Sequence, residues 1–142
     1  MTLLHLTVDE LLALQELNRL RVANDQALKA LHDDAPDTLA GKTADLLRDI
    51  ANYAASVAPF LTGTLRSAHR GELIDVQPEH VVGLVYIDPN VVNPVFGGFP
   101  AQYGIEVHQR KPWMDWTVQY AEANLLPALD ESILFTITRG FE

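Results

Sequence analysis

The period of the hydrophobic positions changes several times along the chain, and the changes mark the elements. Thr7-Val8-Asp9-Glu10 has the form of a capping box, with a hydroxyl at the N-cap and a glutamate three residues on. It predicts a helix to about Leu31. Leu11, Leu14, Leu17, Leu20, Leu28 and Leu31 form its apolar stripe, and Glu10, Glu16, Arg19, Asp25 and Lys29 lie opposite. Pro36 disfavours helical geometry at Ala35 and ends the helix. Asp37 or Thr38 can cap a second helix running to about Val57, with Leu39, Leu46, Ile50, Tyr53, Ala54 and Val57 on its apolar face. Pro59 stops it.

Extended structure is expected next. Pro59 and Gly63 fix a bend, after which Leu65 through Ser67 read as extended. Residues 72–76 and 81–87 read as strands joined by Gln77-Pro78-Glu79-His80, which implies an antiparallel hairpin. Residues 88–100 form a loop with three prolines and two glycines, yet it carries Val91, Val92, Val95, Phe96 and Phe99. A loop this apolar either folds back over the core or meets a partner. Tyr103, Ile105 and Val107 then alternate with Gly104, Glu106 and His108, the period of a strand buried on one face. Gln109-Arg110-Lys111 is a cationic turn, and Pro112 suits a helix's first turn. Trp113, Trp116 and Tyr120, at i, i+3 and i+7, predict one face of a helix to about Leu125. Pro127 interrupts or ends that helix, and residues 133–138 have strand composition. The expected class is α+β. An antiparallel sheet of about four strands is covered by two or three helices in a core of residues 37–138, and the leucine-striped helix of residues 1–35 forms an N-terminal extension.

Composition narrows the function classes. A length of 142 residues suits one domain with a real core, and 48% hydrophobic residues exclude a disordered chain. Without cysteine there are neither disulfides nor thiolate metal sites. The net charge of −9 is spread over both halves, a poor composition for gripping a phosphate backbone. An acidic surface could still line a passage through which DNA slides, because like charge prevents sticking. The first residues contain neither a basic n-region nor a long apolar run, so a soluble protein without a membrane span is expected.

Candidate chemistry is sparse. Gly41-Lys42-Thr43 has the ending of a phosphate-binding loop, but Pro36 stands where the motif needs its first glycine and no strand precedes it. His69, His80 and His108 lack HxH or HxxxH spacing, and Ser56, Ser67 and Ser132 lack a nucleophile elbow. Glu106 has no evident acid–base partner and is read as facing solvent or a neighbouring subunit. No catalytic, cofactor or metal site is expected. The residues expected at a subunit interface are Val91, Val92, Val95, Phe96, Phe99, Glu106, Arg110, Lys111, Trp113 and Trp116, which combine apolar surface, cationic groups and large aromatics.

Three short motifs carry a resemblance. Ala58-Pro59-Phe60-Leu61-Thr62-Gly63-Thr64-Leu65-Arg66 fits the pattern Ala-Pro-x-x-Thr-Gly-x-Leu-Arg in full. Tyr103-Gly104-Ile105-Glu106-Val107 is similar to a Tyr-x-x-x-Val-Glu strand with the glutamate one place early. Pro112-Trp113-Met114 stands in place of a Pro-Phe helix start, without the usual Pro-Ala after it, and Val107-His108 replaces a usual Gly-Thr. In this order, over roughly residues 40–130, the chain resembles the gene-product-ten-like tail-component family of long-tailed bacteriophages, the neck or tail-completion proteins at the head–tail junction. The resemblance implies a non-enzymatic virion protein, assembled in the host cytoplasm. It would form a homo-oligomeric ring, a hexamer or alternatively a dodecamer. Its partners would be adjoining neck, connector and tail-tube proteins, with DNA passing through the lumen without specific binding. A non-viral interaction adaptor, with one-to-one binding instead of a ring, is the first alternative; a small enzyme without recognisable motifs is the second, and it would need His69, His108 and Glu106 to converge on a pocket.

Overall fold

The capping box closes as its spacing demands. Thr7 Oγ1 accepts the Glu10 N–H at 3.2 Å, and the Glu10 carboxylate accepts the Thr7 N–H at 2.9 Å. In this computed structural model, residues 7–60 and 63–125 and the backbone of residues 133–137 are described. The order is α1 (Val8–Asp34), α2 (Leu39–Val57), α3 (Thr64–Ser67), β1 (His69–Gln77), β2 (His80–Ile87), α4 (Pro100–Arg110), α5 (Trp113–Asn124) and β3 (Ile133–Ile137). The fold is α+β.

The leucine stripe of α1 is only partly packed within the chain. Of its leucines only Leu28 is buried, while Leu11, Leu20 and Leu31 are 41–48% exposed. The reason is helical geometry. Spacing of three residues lags behind the turn of 3.6, so Leu11 and Leu20 point about 180° apart. Besides Leu28 and Leu17, which pack on the core, polar bonds fix α1. Asp25 accepts from Arg48 Nε at 2.8 Å and from Asn52 Nδ2 at 2.5 Å, both on α2. Asn24 gives its Nδ2 to Gly71 O and takes the Gly71 N–H, each at 3.1 Å. These bonds give α1 one register against α2 and β1.

Helix α2 is the hub, but its buried face is turned from the one expected: Ile50 and Ala54 are buried together with Ala44, Leu47 and Ala51, while Leu39, Leu46, Tyr53 and Val57 are half-buried. Thr38 caps it by accepting the Gly41 N–H at 3.0 Å. Leu47 and Ile50 are fully enclosed, packed with Leu28, Ala44, Ala51, Val85 and Ala121. Ala54 and Ala58 belong to a second cluster with Leu65, Ala68, Ile87, Val91, Trp113 and Met114.

Strands β1 and β2 form the expected antiparallel hairpin, from His69 opposite Ile87 to Gln77 opposite His80, with a bulge between Leu73 and Asp75. The four-stranded antiparallel sheet is not present among the described residues. β3 lies parallel to β2, with Val81 opposite Ile133, at the end of a crossover that contains α4 and α5. Residues 103–107, expected as a strand, are the middle of α4. Their alternation is five residues long, and such a window also fits a helix. Ala101, Gly104 and His108, at i, i+3 and i+7, are the buried side, and Ile105 faces out. Residues 65–67 are likewise not extended. Gly63, with φ of 86°, turns the chain directly into the short helix α3, whose Ser67 N–H bonds Gly63 O at 3.0 Å. Pro127, Ser132 and Thr138 lie outside the described residues, as do Leu61 and Thr62 of the first motif.

Gly41, suggestive of phosphate binding in isolation, has a packing role. A Cβ added there would lie 1.8 Å from the carbonyl oxygen of Ala35, the residue closing α1. Helix propensity alone favours alanine over glycine by about 1 kcal/mol. Backbone overlap reverses that sign. Gly41→Ala is therefore expected to destabilise by about 2 kcal/mol, read as a lower urea midpoint. A higher midpoint would mean that the turn and α2 do not meet this closely.

Candidate interaction surface

The outer surface is assembled from the loop of residues 88–99, α4 and the start of α5, and a buried asparagine organises it. Asn93 is 1% exposed. Its N–H donates to Gly98 O at 2.7 Å, its carbonyl accepts the Gly97 N–H at 2.8 Å, and its Oδ1 accepts the Val95 N–H at 2.9 Å. Its Nδ2 reaches the Tyr103 hydroxyl on α4 at 3.4 Å. Asp88 anchors the loop's start, giving its N–H to Ala68 O at 2.8 Å and accepting the Asn90 N–H on Oδ1 at 2.9 Å. The loop is thus internally bonded, with Val91 turned into the core and Val92, Phe96 and Phe99 left exposed.

Pro100 opens α4 at its first turn, where a missing N–H costs nothing. The Phe96 and Tyr103 rings pack at 5.6 Å between centroids. Beside them is a hollow of about 180 Å³, lined by Pro59, Leu65, Phe96, Tyr103, Glu106 and Arg110, with Val107. Burial pushes the Tyr103 phenol up from its ordinary range, and the Asn93 bond offsets part of that. Pro59 and Leu65 come from the Ala-Pro…Leu-Arg motif, so two of the three motif segments meet here.

The ten residues expected at an interface separate into two groups. Val92, Phe96, Phe99 and Trp116 are 37–53% exposed, Glu106, Arg110 and Lys111 are exposed, and Val95 is half-buried. Val91 and Trp113 are instead core residues, at 4% and 0% exposure. The two tryptophans part company because i and i+3 differ by 60° on a helix whose buried side runs through Trp113, Met114, Thr117 and Ala121. Tyr120, the third of the expected face, stacks on Tyr53 of α2 at 3.8 Å.

Trp113 anchors this surface to the hairpin. Its Nε1–H donates to Nε2 of His69 at 2.9 Å, and its ring meets the edge of His108 at 5.2 Å. Because Nε2 of His69 accepts that proton, Nδ1 must be the protonated nitrogen, and it faces Arg66 O at 3.3 Å. Burial accordingly pulls His69 down to about 4. Arg70 next to it donates to the carbonyls of Ser67 and His69 and lies 3.6 Å from Asp88, which ties the hairpin base to the loop's start. His108 lies 3.7 Å from Asp115.

No group of three or more His, Cys, Asp or Glu side chains is placed to hold a metal among the described residues. Glu106 lines the outer hollow, whereas His69 and His108 lie against Trp113, so these three do not converge. A wider cleft of about 700 Å³ opens between α1 and α2, with Leu14, Arg21, Asn52, Phe60 and Arg66 among its walls. There the Arg66 guanidinium lies 5.2 Å above the Phe60 ring, and Arg66 Nε bonds Ala58 O at 2.9 Å. Asn93 was not singled out from the sequence, and His69 and Arg66 were named there only as a candidate ligand and as part of a motif. Asn93 had a usable signal, because an asparagine before proline in a glycine-rich loop is a turn former. Comparison with protein-family models, curated proteins and solved structures finds no match for this chain. The phage-family reading therefore rests on the short motifs and the surface just described.

The neutral His69 has a pH consequence. Its folded value lies below the ordinary 6.5, so the unfolded chain binds the extra proton first. This contribution is complete above about pH 6.5 and is lost as pH falls toward 4, for a total of about 3 kcal/mol. Urea titrations of the wild type and His69→Gln at pH 7 and pH 4.5 should give a stability difference that shrinks at the lower pH. A difference independent of pH would place the imidazole in water.

Proposed function

We propose that the protein is a structural virion subunit of a tailed bacteriophage, assembling as a ring at the neck or head–tail junction and acting by contact instead of catalysis. The observation that carries the assembly part is the outer surface. Phe96, Phe99, Val92, Ile105 and Trp116 keep 37–53% exposure on a support fixed by Asn93 and Trp113. Large apolar side chains held rigidly in water mark protein contact. The phage assignment comes from the Ala58–Arg66 motif and the two that follow it.

The physical demands of a ring fit this subunit. A closed ring needs two different complementary patches on each copy, related by a rotation that closes. The exposed apolar residues lie on more than one side of the molecule: on α1 at Leu11, Leu12 and Leu20, on β1 at Ile74 and Val76, and on α4. A net charge of −9 would let DNA pass through the bore without adhering. Adjoining neck and tail-tube proteins would take the surfaces above and below the ring.

Sedimentation of the purified chain, alone and with its adjoining neck and tail-tube proteins, tests the reading. The expected species has six or twelve times the subunit mass of 15.7 kDa. A monomer in every mixture overturns the ring, and a one-to-one complex with a single partner points to an adaptor.

A further inference from the structure

Two surfaces of the chain differ in charge: the distal half of the hairpin is acidic, and the α4–α5 corner presents two adjacent cationic side chains, Arg110 and Lys111. The first is the distal half of the hairpin itself. Among the described strands β1 is at the edge of the sheet, and the Asn24 side chain covers that edge at Gly71. Beyond it every residue from Ile74 to Glu79 is exposed, with Ile74 at 53% and Val76 at 54%. The charges there are Glu72, Asp75 and Glu79, and His80 is the only residue from Glu72 to Ile87 able to carry a positive charge. An exposed edge strand with β-branched apolar residues invites a partner.

The second surface is the corner where α4 meets α5. Gln102, Ile105, Glu106, Gln109 and Arg110 form the exposed stripe of α4, and Lys111 follows at its C-cap. Arg110 and Lys111 enter no ion pair among the described residues, although Glu106 lies one turn away and Asp115 sits beside His108. Trp116 and Ile105 add apolar area at 40% and 43% exposure.

The two surfaces cannot satisfy each other within one subunit. The α4–α5 corner is tied through Trp113 to His69, at the base of β1, and Asp75 is six residues further along the strand, roughly 20 Å away. We propose that the acidic distal hairpin of one copy docks on the Arg110–Lys111 corner of the next copy. This inference rests on the self-assembly reading above and identifies the contact. Unlike patches meeting head to tail make a heterologous interface, the type that closes a ring. Apolar pairs Ile74 and Val76 with Ile105 and Trp116 would supply affinity, while the charges set partner and register.

A charge-swap mixture tests it. One variant carries Arg110→Glu and Lys111→Glu, the other Asp75→Lys and Glu79→Lys. All four positions are exposed, so each variant should keep the wild-type unfolding temperature. Each alone should self-associate at least about tenfold more weakly than wild type, because its tip and corner now repel. An equimolar mixture should recover assembly, with the two variants alternating in native mass spectra. Wild-type association should weaken as salt rises. If the wild type assembles and both variants assemble equally well alone, this contact is wrong while the ring reading stands. The same holds if the variants fail to rescue each other. If the wild type is monomeric at every concentration and salt, both fall together.

Discussion

The hydrogen bond from the Trp113 indole to His69 is the constraint on which the rest depends. It joins the largest enclosed side chain of the protein, at the head of α5, to the first residue of β1. A buried donor and a buried acceptor satisfy each other, and removing either would leave the other unpaired at a cost of about 1–3 kcal/mol. The bond also selects one tautomer of His69, and burial keeps that ring neutral. Trp113 further supports His108 of α4, so one side chain places the hairpin, α4 and α5 relative to each other.

From that anchor the division between core and outer surface follows. Val91, Met114 and Ala101 close the inner side with Trp113. The loop's hydrogen bonds are centred on Asn93, and Phe96 and Phe99 are left exposed on it. Apolar exposure of this kind lowers solubility for an isolated chain, which is why the assembly proposed above places a contact there. The acidic hairpin tip lies further along the strand that begins at the same anchor. A subunit whose two unlike surfaces are held apart by a rigid frame is suited to repeated head-to-tail association.

Much of the frame was legible in the sequence where the signal is local. The capping box at Thr7, the Thr38 cap, the end of α2 at Val57 and the hairpin around Gln77–His80 each depend on a few neighbouring residues, and each formed. Where a longer context decides, the pattern misled. Tyr103, Ile105 and Val107 alternate like a strand, but Pro100 starts a helix that buries Gly104 against its neighbours. Leu11 through Leu20 look like a stripe until the helical turn is followed round. The candidate surface was half legible. Composition marks Phe96, Phe99, Arg110 and Lys111, but only packing tells Trp113 from Trp116 or finds Asn93, whose partners are mostly backbone groups.

The central claim is that the Trp113–His69 bond holds the outer surface in place, and amide hydrogen exchange on Trp113→Phe tests it most directly. The substitution keeps an aromatic ring in the core and deletes the indole donor. The account predicts lost protection concentrated in α4 and residues 91–99, with α1 and the first half of α2 exchanging as in the wild type. Protection unchanged in α4 and the loop, or lost evenly across the whole chain, would contradict it.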